Sequence, residues 1–209
     1  GQVGRLLKAV LPLFGISFLA LYENNMPKYA IDAYMTDEIQ ACYGFVAMPV
    51  FVIGLLNNFI YQPTLVPMAV EWEQGQIGKF RKRIARQISI IGALAGVCMA
   101  GAYLLGIPVL SMLYNTDLTG YKRELMILLL ASAFLATSGY QSVVLTIMRC
   151  QNALLLPHCI VAAAAAVSLP AVVSRYGTVG AALCYTVLMM LLCLLYGGIL
   201  VTKLKGHKT

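Results

Sequence analysis

Polar and apolar positions in this chain are sorted into long blocks, not into the short alternations of a half-buried sheet. Stretches without a charged residue cover 9–22, 39–70, 87–116, 125–148, 150–174 and 176–202. A helix rises about 1.5 Å per residue and a hydrocarbon core is about 30 Å thick, so about 20 apolar residues cross it. Five of the six runs exceed that length. The first holds 14 residues, or about 21 Å, and crosses only if its helix continues through Glu23, Asn24, Asn25 and Lys28. The second holds 32 residues, about 48 Å as one helix, and Pro49, Pro63 and Pro67 offer bends along it, with the end near Trp72 protruding. The pattern predicts an all-α polytopic membrane protein, a six-transmembrane-helix bundle filling 1–209. Its spans fall near 6–30, 39–70, 86–113, 123–148, 152–174 and 177–202.

Composition sharpens this. The chain has 209 residues, 60% hydrophobic and 11% charged, with mean hydropathy +0.81. A soluble domain carries roughly 25% charge, so this one could not cover its surface in water. Soluble enzymes, secreted modules and disordered tails are excluded. The net charge of +7 reflects topology and not nucleic acid, because the cations fall in the gaps between apolar runs. Arg5, Lys8, Lys79, Arg81, Lys82, Arg83, Arg86, Arg149, Lys203, Lys205 and Lys208 sort to one side, and Lys28, Lys122, Arg123 and Arg175 to the other. By the positive-inside rule both termini are cytoplasmic. The segment Gln74–Arg86 alternates basic and apolar residues and reads as a short amphipathic helix at the inner headgroups. No signal-peptide pattern precedes the first run.

Within the spans, Gly92, Gly96 and Ala100 form a small stripe that lets another helix approach. Ala162–Ala166, Gly177 and Gly180 read as packing features too. Three spans carry polar faces. In the first, Tyr22, Asn24, Asn25, Lys28, Tyr29 and Asp32 fall within about 160° of arc, with Glu23 roughly opposite, and Pro27 predicts a kink. In the second, Asn57, Asn58, Tyr61 and Gln62 share a face. In the fourth, Ser138, Ser142, Thr146 and Arg149 step along one side with Gln141 beside them. Polar groups in hydrocarbon are costly and ionisable ones mark substrate paths, so three such faces predict a shared hydrophilic cavity. Interhelical bonding, snorkelling of Lys28 or its pairing with Asp32, and anchoring by Arg149 are the plainer alternatives. His158, just after Pro157, reads as a helix-bonding residue.

No enzyme is expected: HExxH, GxSxG, Asp-rich metal motifs and Gly-rich phosphate loops are missing. The six cysteines (Cys42, Cys98, Cys150, Cys159, Cys184 and Cys193) lie in or beside apolar runs without a CxxC pair. They read as small hydrophobes, with no metal site and no cofactor.

The segment Tyr22-Glu23-Asn24-Asn25-Met26-Pro27-Lys28-Tyr29-Ala30-Ile31-Asp32 resembles the C-terminal half of a Wzx-like polysaccharide flippase, of the multidrug/oligosaccharidyl-lipid/polysaccharide exporter superfamily. Leu6-Leu7-Lys8 with Pro12, Pro63, Gly78-Lys79-Phe80, Gly106-Ile107-Pro108-Val109-Leu110, Arg149-Cys150-Gln151, and Tyr176-Gly177 with Gly180-Ala181-Ala182 support it. The resemblance implies one six-helix lobe of a two-lobe transporter in the bacterial cytoplasmic membrane. It implies an undecaprenyl-pyrophosphate-linked oligosaccharide as cargo, flipped by alternating access during surface polysaccharide synthesis. Lys28 and Arg149 are then expected to attract the pyrophosphate, and Asn25, Tyr29, Asn58 and Gln62 to bond sugar hydroxyls. The chain opens on Gly1 without a methionine, so a missing N-terminal lobe is expected, or else a homodimer partner. Other readings are a multidrug or cation antiporter of the same superfamily and a non-transporting membrane scaffold for polysaccharide assembly.

Overall fold

The computed structural model describes residues 2–206, with side chains from Phe14 onward. The described chain is 93% helix with no strand. Six α-helices follow in order: α1 (Gln2–Tyr34), α2 (Asp37–Tyr61), α3 (Leu65–Glu73), α4 (Ile77–Tyr114), α5 (Lys122–Ile147) and α6 (Leu155–Gly206).

Among the described residues, four helical segments are long and apolar enough to cross a membrane: Asp37–Glu73, Ile77–Tyr114, Thr119–Ile147 and Gln151–Gly206. This is consistent with a membrane protein. The count differs from the expected six for two reasons. The apolar start of α1 precedes the described side chains, and its described part carries Glu23, Lys28 and Asp32. The expected fifth and sixth spans lie in one 52-residue run, α6, which leaves helical geometry at Gly177 (φ 61°, ψ −144°). Arg5, Lys8, Pro12, His207 and Lys208 lie outside the described side chains.

The expected second span breaks late. Gln62–Thr64 tightens to a 3-10 turn between α2 and α3, with Pro63 inside it, whereas Pro49 is accommodated within α2. The expected kink at Pro27 leaves α1 helical from Gln2 to Tyr34. The amphipathic helix read at Gln74–Arg86 is not a separate element. After a turn at Gly75, which has φ 67°, α4 starts at Ile77 and runs on to Tyr114. Its Phe80 and Ile84 are buried, and the Phe80 ring packs at a 44° tilt against Trp72 of α3, 5.2 Å between centroids. Arg83 meanwhile forks onto both carboxylate oxygens of Glu71 (2.5–3.1 Å), so this stretch is clamped to α3.

α5 is the centre of the bundle. Half of its apolar window is buried, against 17% for α4, because it packs on α6, α4 and α2 at once. α1 lies on α6 and reaches α2. Close approaches occur at two glycines. A Cβ on Gly106 would sit 2.8 Å from Leu125 of α5, and one on Gly180 would meet Val172 and Tyr176 across the Gly177 break. The stripe at Gly92, Gly96 and Ala100 behaves otherwise: it is exposed, and a Cβ on either glycine would meet nothing within 4 Å. No helix of the described chain covers it.

Candidate functional site

On α2 the buried positions are Tyr43, Val46, Val50, Ile53 and Asn57. Their three- and four-residue steps are the core stripe of a helix. At its fourth turn that stripe changes from apolar to amide, so Asn57 occupies a core position. Beside it on α2 lies the more exposed Asn58, and on α1 lie Asn24, Asn25 and Lys28.

These residues line a cavity of about 520 Å³ between α1, α2 and α5, with Tyr43, Tyr61 and Tyr185 on its wall. The α5 side is apolar and small: Leu128, Leu135, Ala136 and Gly139. Its volume lies within the range of small-ligand sites, about 300–1,000 Å³, where a few placed polar groups sit on a mostly apolar lining.

The polar groups divide into those already bonded and those left open. Asn25 donates to the Leu21 carbonyl (2.9 Å), and Asn57 donates its amide N–H to the Ile53 carbonyl (3.0 Å). Tyr61 donates to Asn58 Oδ1. Tyr185 of α6 donates to Asn24 Oδ1 at 3.3 Å. Asn57 Oδ1 and the Tyr43 hydroxyl have no hydrogen-bond partner within the described chain, although their residues are only 2% and 1% exposed. Buried polar groups are rarely left unpaired, since each forfeits its hydration without replacement. Both belong to residues that line the cavity. Lys28 is half-buried and no carboxylate of the described chain, Asp32 included, forms an ion pair with it.

Of the six expected site residues, the structure brings three together: Asn25, Lys28 and Asn58 all line the cavity. The other three lie elsewhere. Tyr29 points outward, 57% exposed, with its ring stacked on Tyr22. Gln62 is exposed in the 3-10 turn, where the chain has left the α2 register. Arg149 sits in a left-handed turn (φ 58°) after α5, its side chain 86% exposed and 3.8 Å from Glu73. The polar face expected on α5 does not join the cavity either. Ser138 and Thr146 bond backward to carbonyls of their own helix, at Leu135 and Ser142, which is the usual way such hydroxyls are satisfied without a ligand.

Sequence reasoning missed Tyr43 and Tyr185 as wall-lining polar groups, and it placed Asn57 on the polar face of α2 without counting it among the site residues. The signal for the core position of Asn57 is its spacing, two heptads from Tyr43 and one from Val50, but the polar residues beside it mask the distinction between core and rim. It also missed a second arrangement. Glu23, opposite the polar face, meets His158 of α6: Oε2 lies 2.8 Å from Nδ1, with side chains 3% and 7% exposed.

Among the described residues no group of three or more His, Cys, Asp or Glu is placed to hold a metal ion, and the six cysteines are free. No protein-family model, curated protein or solved structure matches this chain.

Proposed function

We propose that this chain is a transporter lobe that moves a lipid-linked oligosaccharide across a membrane, as the resemblance to Wzx-like polysaccharide flippases implies. The observation that carries the reading is the cavity itself. It combines amides from two helices, three tyrosines and one unpaired lysine, with Asn57 Oδ1 and the Tyr43 hydroxyl left without partners. Sugar hydroxyls donate and accept, so they can satisfy both at once. Lys28 supplies a point charge for a pyrophosphate.

In this reading the chain makes six passes, with α1 as the first and α6 counted as two helices meeting at Gly177. The two ends of the bundle then differ as the positive-inside rule requires. Trp72, Cys150 and Lys203 surround a hollow at one end, with Arg83 and Arg149 on Glu71 and Glu73. Arg149 meets the incoming headgroup at that inner end. Alternating access arises by rocking against a second lobe, on another segment or another copy, with the cavity near the middle of the membrane.

The test is surface polysaccharide made by cells whose only copy carries Lys28→Gln with Asn57→Leu. Loss of surface polymer with the protein at its normal level is expected. Unchanged polymer overturns the reading. A cation or drug antiporter is the second reading, favoured by the buried carboxylate of Glu23. Ion-dependent dye efflux that survives loss of polymer export supports it.

A further inference from the structure

Glu23 and His158 are separated by 135 residues in sequence yet meet Oε2 to Nδ1 at 2.8 Å. Both are buried, and Glu23 Oε1 has no partner within the described chain. The imidazole stands edge-on to the ring of Tyr196, 5.7 Å between centroids and 82° between planes. His158 follows Pro157 in the first turn of α6, so the proline fixes the backbone direction where the ring enters the bundle.

Charge bookkeeping limits what this pair can be. A carboxylate beside a neutral imidazole leaves one net negative charge in a dry interior. An imidazolium beside a carboxylic acid leaves one net positive charge. Both are far more costly than a pair with no net charge. The neutral arrangement holds one titrating proton, on either partner, and behaves as a unit. The groups that could alter this balance are few. Tyr185 and Tyr196 of α6 lie within electrostatic reach of Glu23, and both stay neutral as hydroxyls. Among the described residues no Lys or Arg of α1, α2 or α5 forms an ion pair with Glu23.

We propose that Glu23 and His158 form a one-proton binding site that holds α1 on α6. With the proton bound, the two helices close over a pair of zero net charge. When the proton leaves, the bare carboxylate demands water, and the α1–α6 contact must part to admit it. The site is linked to the cavity through the next residue: Asn24 lines it and accepts a hydrogen bond from Tyr185 of α6. Any ligand that changes the spacing of α1 and α6 therefore changes proton affinity, and the reverse holds by linkage. This inference is independent of what the cavity carries.

The experiment uses the full chain in lipid nanodiscs with 15N-labelled histidine, of which there are two, His158 and His207. Nuclear magnetic resonance follows both rings from about pH 5 to about pH 9, a window centred near the ordinary imidazole value of about 6.5. Infrared spectroscopy follows the protonated-carboxyl band. The expected result is that the pair carries one proton throughout, as an imidazolium or as a protonated carboxyl. Glu23→Gln, which keeps size and hydrogen bonding, abolishes that signature. The proposal is overturned if His158 titrates together with His207, or if it is neutral beside an ionised carboxylate at neutral pH. The same holds if Glu23→Gln leaves both signatures unchanged. The wild-type titration alone decides the matter should the variant fail to fold. No substrate is needed, so failure here leaves the cavity reading standing, and failure of polymer export leaves the proton site standing.

Discussion

Replacement of Gly177 by alanine isolates the break in α6. The residue adopts φ 61° and ψ −144°, a region essentially confined to glycine, where a side chain costs on the order of 1–3 kcal/mol. A Cβ there would also meet the Met35 methyl at 3.0 Å. That methyl ends a flexible side chain and can give way, so the contact adds little. Alanine reduces the freedom of the unfolded chain, which returns about 0.4–1 kcal/mol. The net expectation is a loss of about 1–2 kcal/mol. Gly198 is the control: it lies in the same helix, exposed, and a Cβ there would meet nothing within 4 Å. Gly198→Ala gains up to about 1 kcal/mol from helix propensity alone. The two alanines should therefore move in opposite directions. Unfolding of each variant in mixed detergent micelles, titrated with a denaturing detergent and followed by helical circular dichroism, gives the two midpoints. If Gly177→Ala unfolds at or beyond the wild-type midpoint while Gly198→Ala shows its gain, the backbone at 177 is not strained as argued. α6 would then be one continuous helix.

Other outcomes follow from single contacts. Gly106→Leu forces a side chain against Leu125, whose methyl already lies 2.8 Å from a Cβ at that position, and should cost about 1–3 kcal/mol by overpacking, read by the same titration. Arg83→Lys keeps the charge but loses the fork onto Glu71. With Arg83 about a third exposed, the loss should stay near 1 kcal/mol, seen as earlier protease cleavage in the turn at Gly75. The Thr119 hydroxyl and backbone N–H both donate to Asp117 and hold its carboxyl below the usual range. A depressed value means that this contact is fully present above the ordinary carboxylate value and is lost as pH falls through the lower folded one. Carbon-13 titration of Asp117 should show that downward displacement, and Thr119→Val should shrink it. Lys28→Gln should weaken binding of a pyrophosphate-bearing lipid to the purified chain, and should flatten the salt dependence of that binding.

The resolution of the expected polar faces shows what a helical wheel can and cannot tell. On α1 the arc from Asn24 to Lys28 did face a cavity, because three polar groups on one side of an apolar helix must meet water or protein. Tyr29 fell inside the same arc yet points out to stack on Tyr22, since one residue is a turn of about 100° and moves a side chain off the wall. Gln62 was assigned by extending the α2 register, which the 3-10 turn at Pro63 interrupts. The face on α5 was real as a pattern, but hydroxyls bonded to their own helix look the same in sequence as hydroxyls aimed at a ligand. Glu23 was read as lying away from the cavity, and nothing in spacing could pair it with a histidine 135 residues later.

By itself, the sequence determined that the chain is helical and apolar enough to enter a membrane, because charge-free runs of more than 20 residues admit no other economical arrangement of backbone hydrogen bonds. It also marked the glycines and prolines where helices turn. Which helix became central, which polar face closed on a cavity and which buried carboxylate found a partner were decided only by tertiary packing. The physical reason is that hydrocarbon supplies no hydrophobic bias between one apolar helix face and another. Close contacts such as Gly106 on Leu125, and buried pairs such as Glu23 with His158, choose among faces that the sequence leaves equivalent.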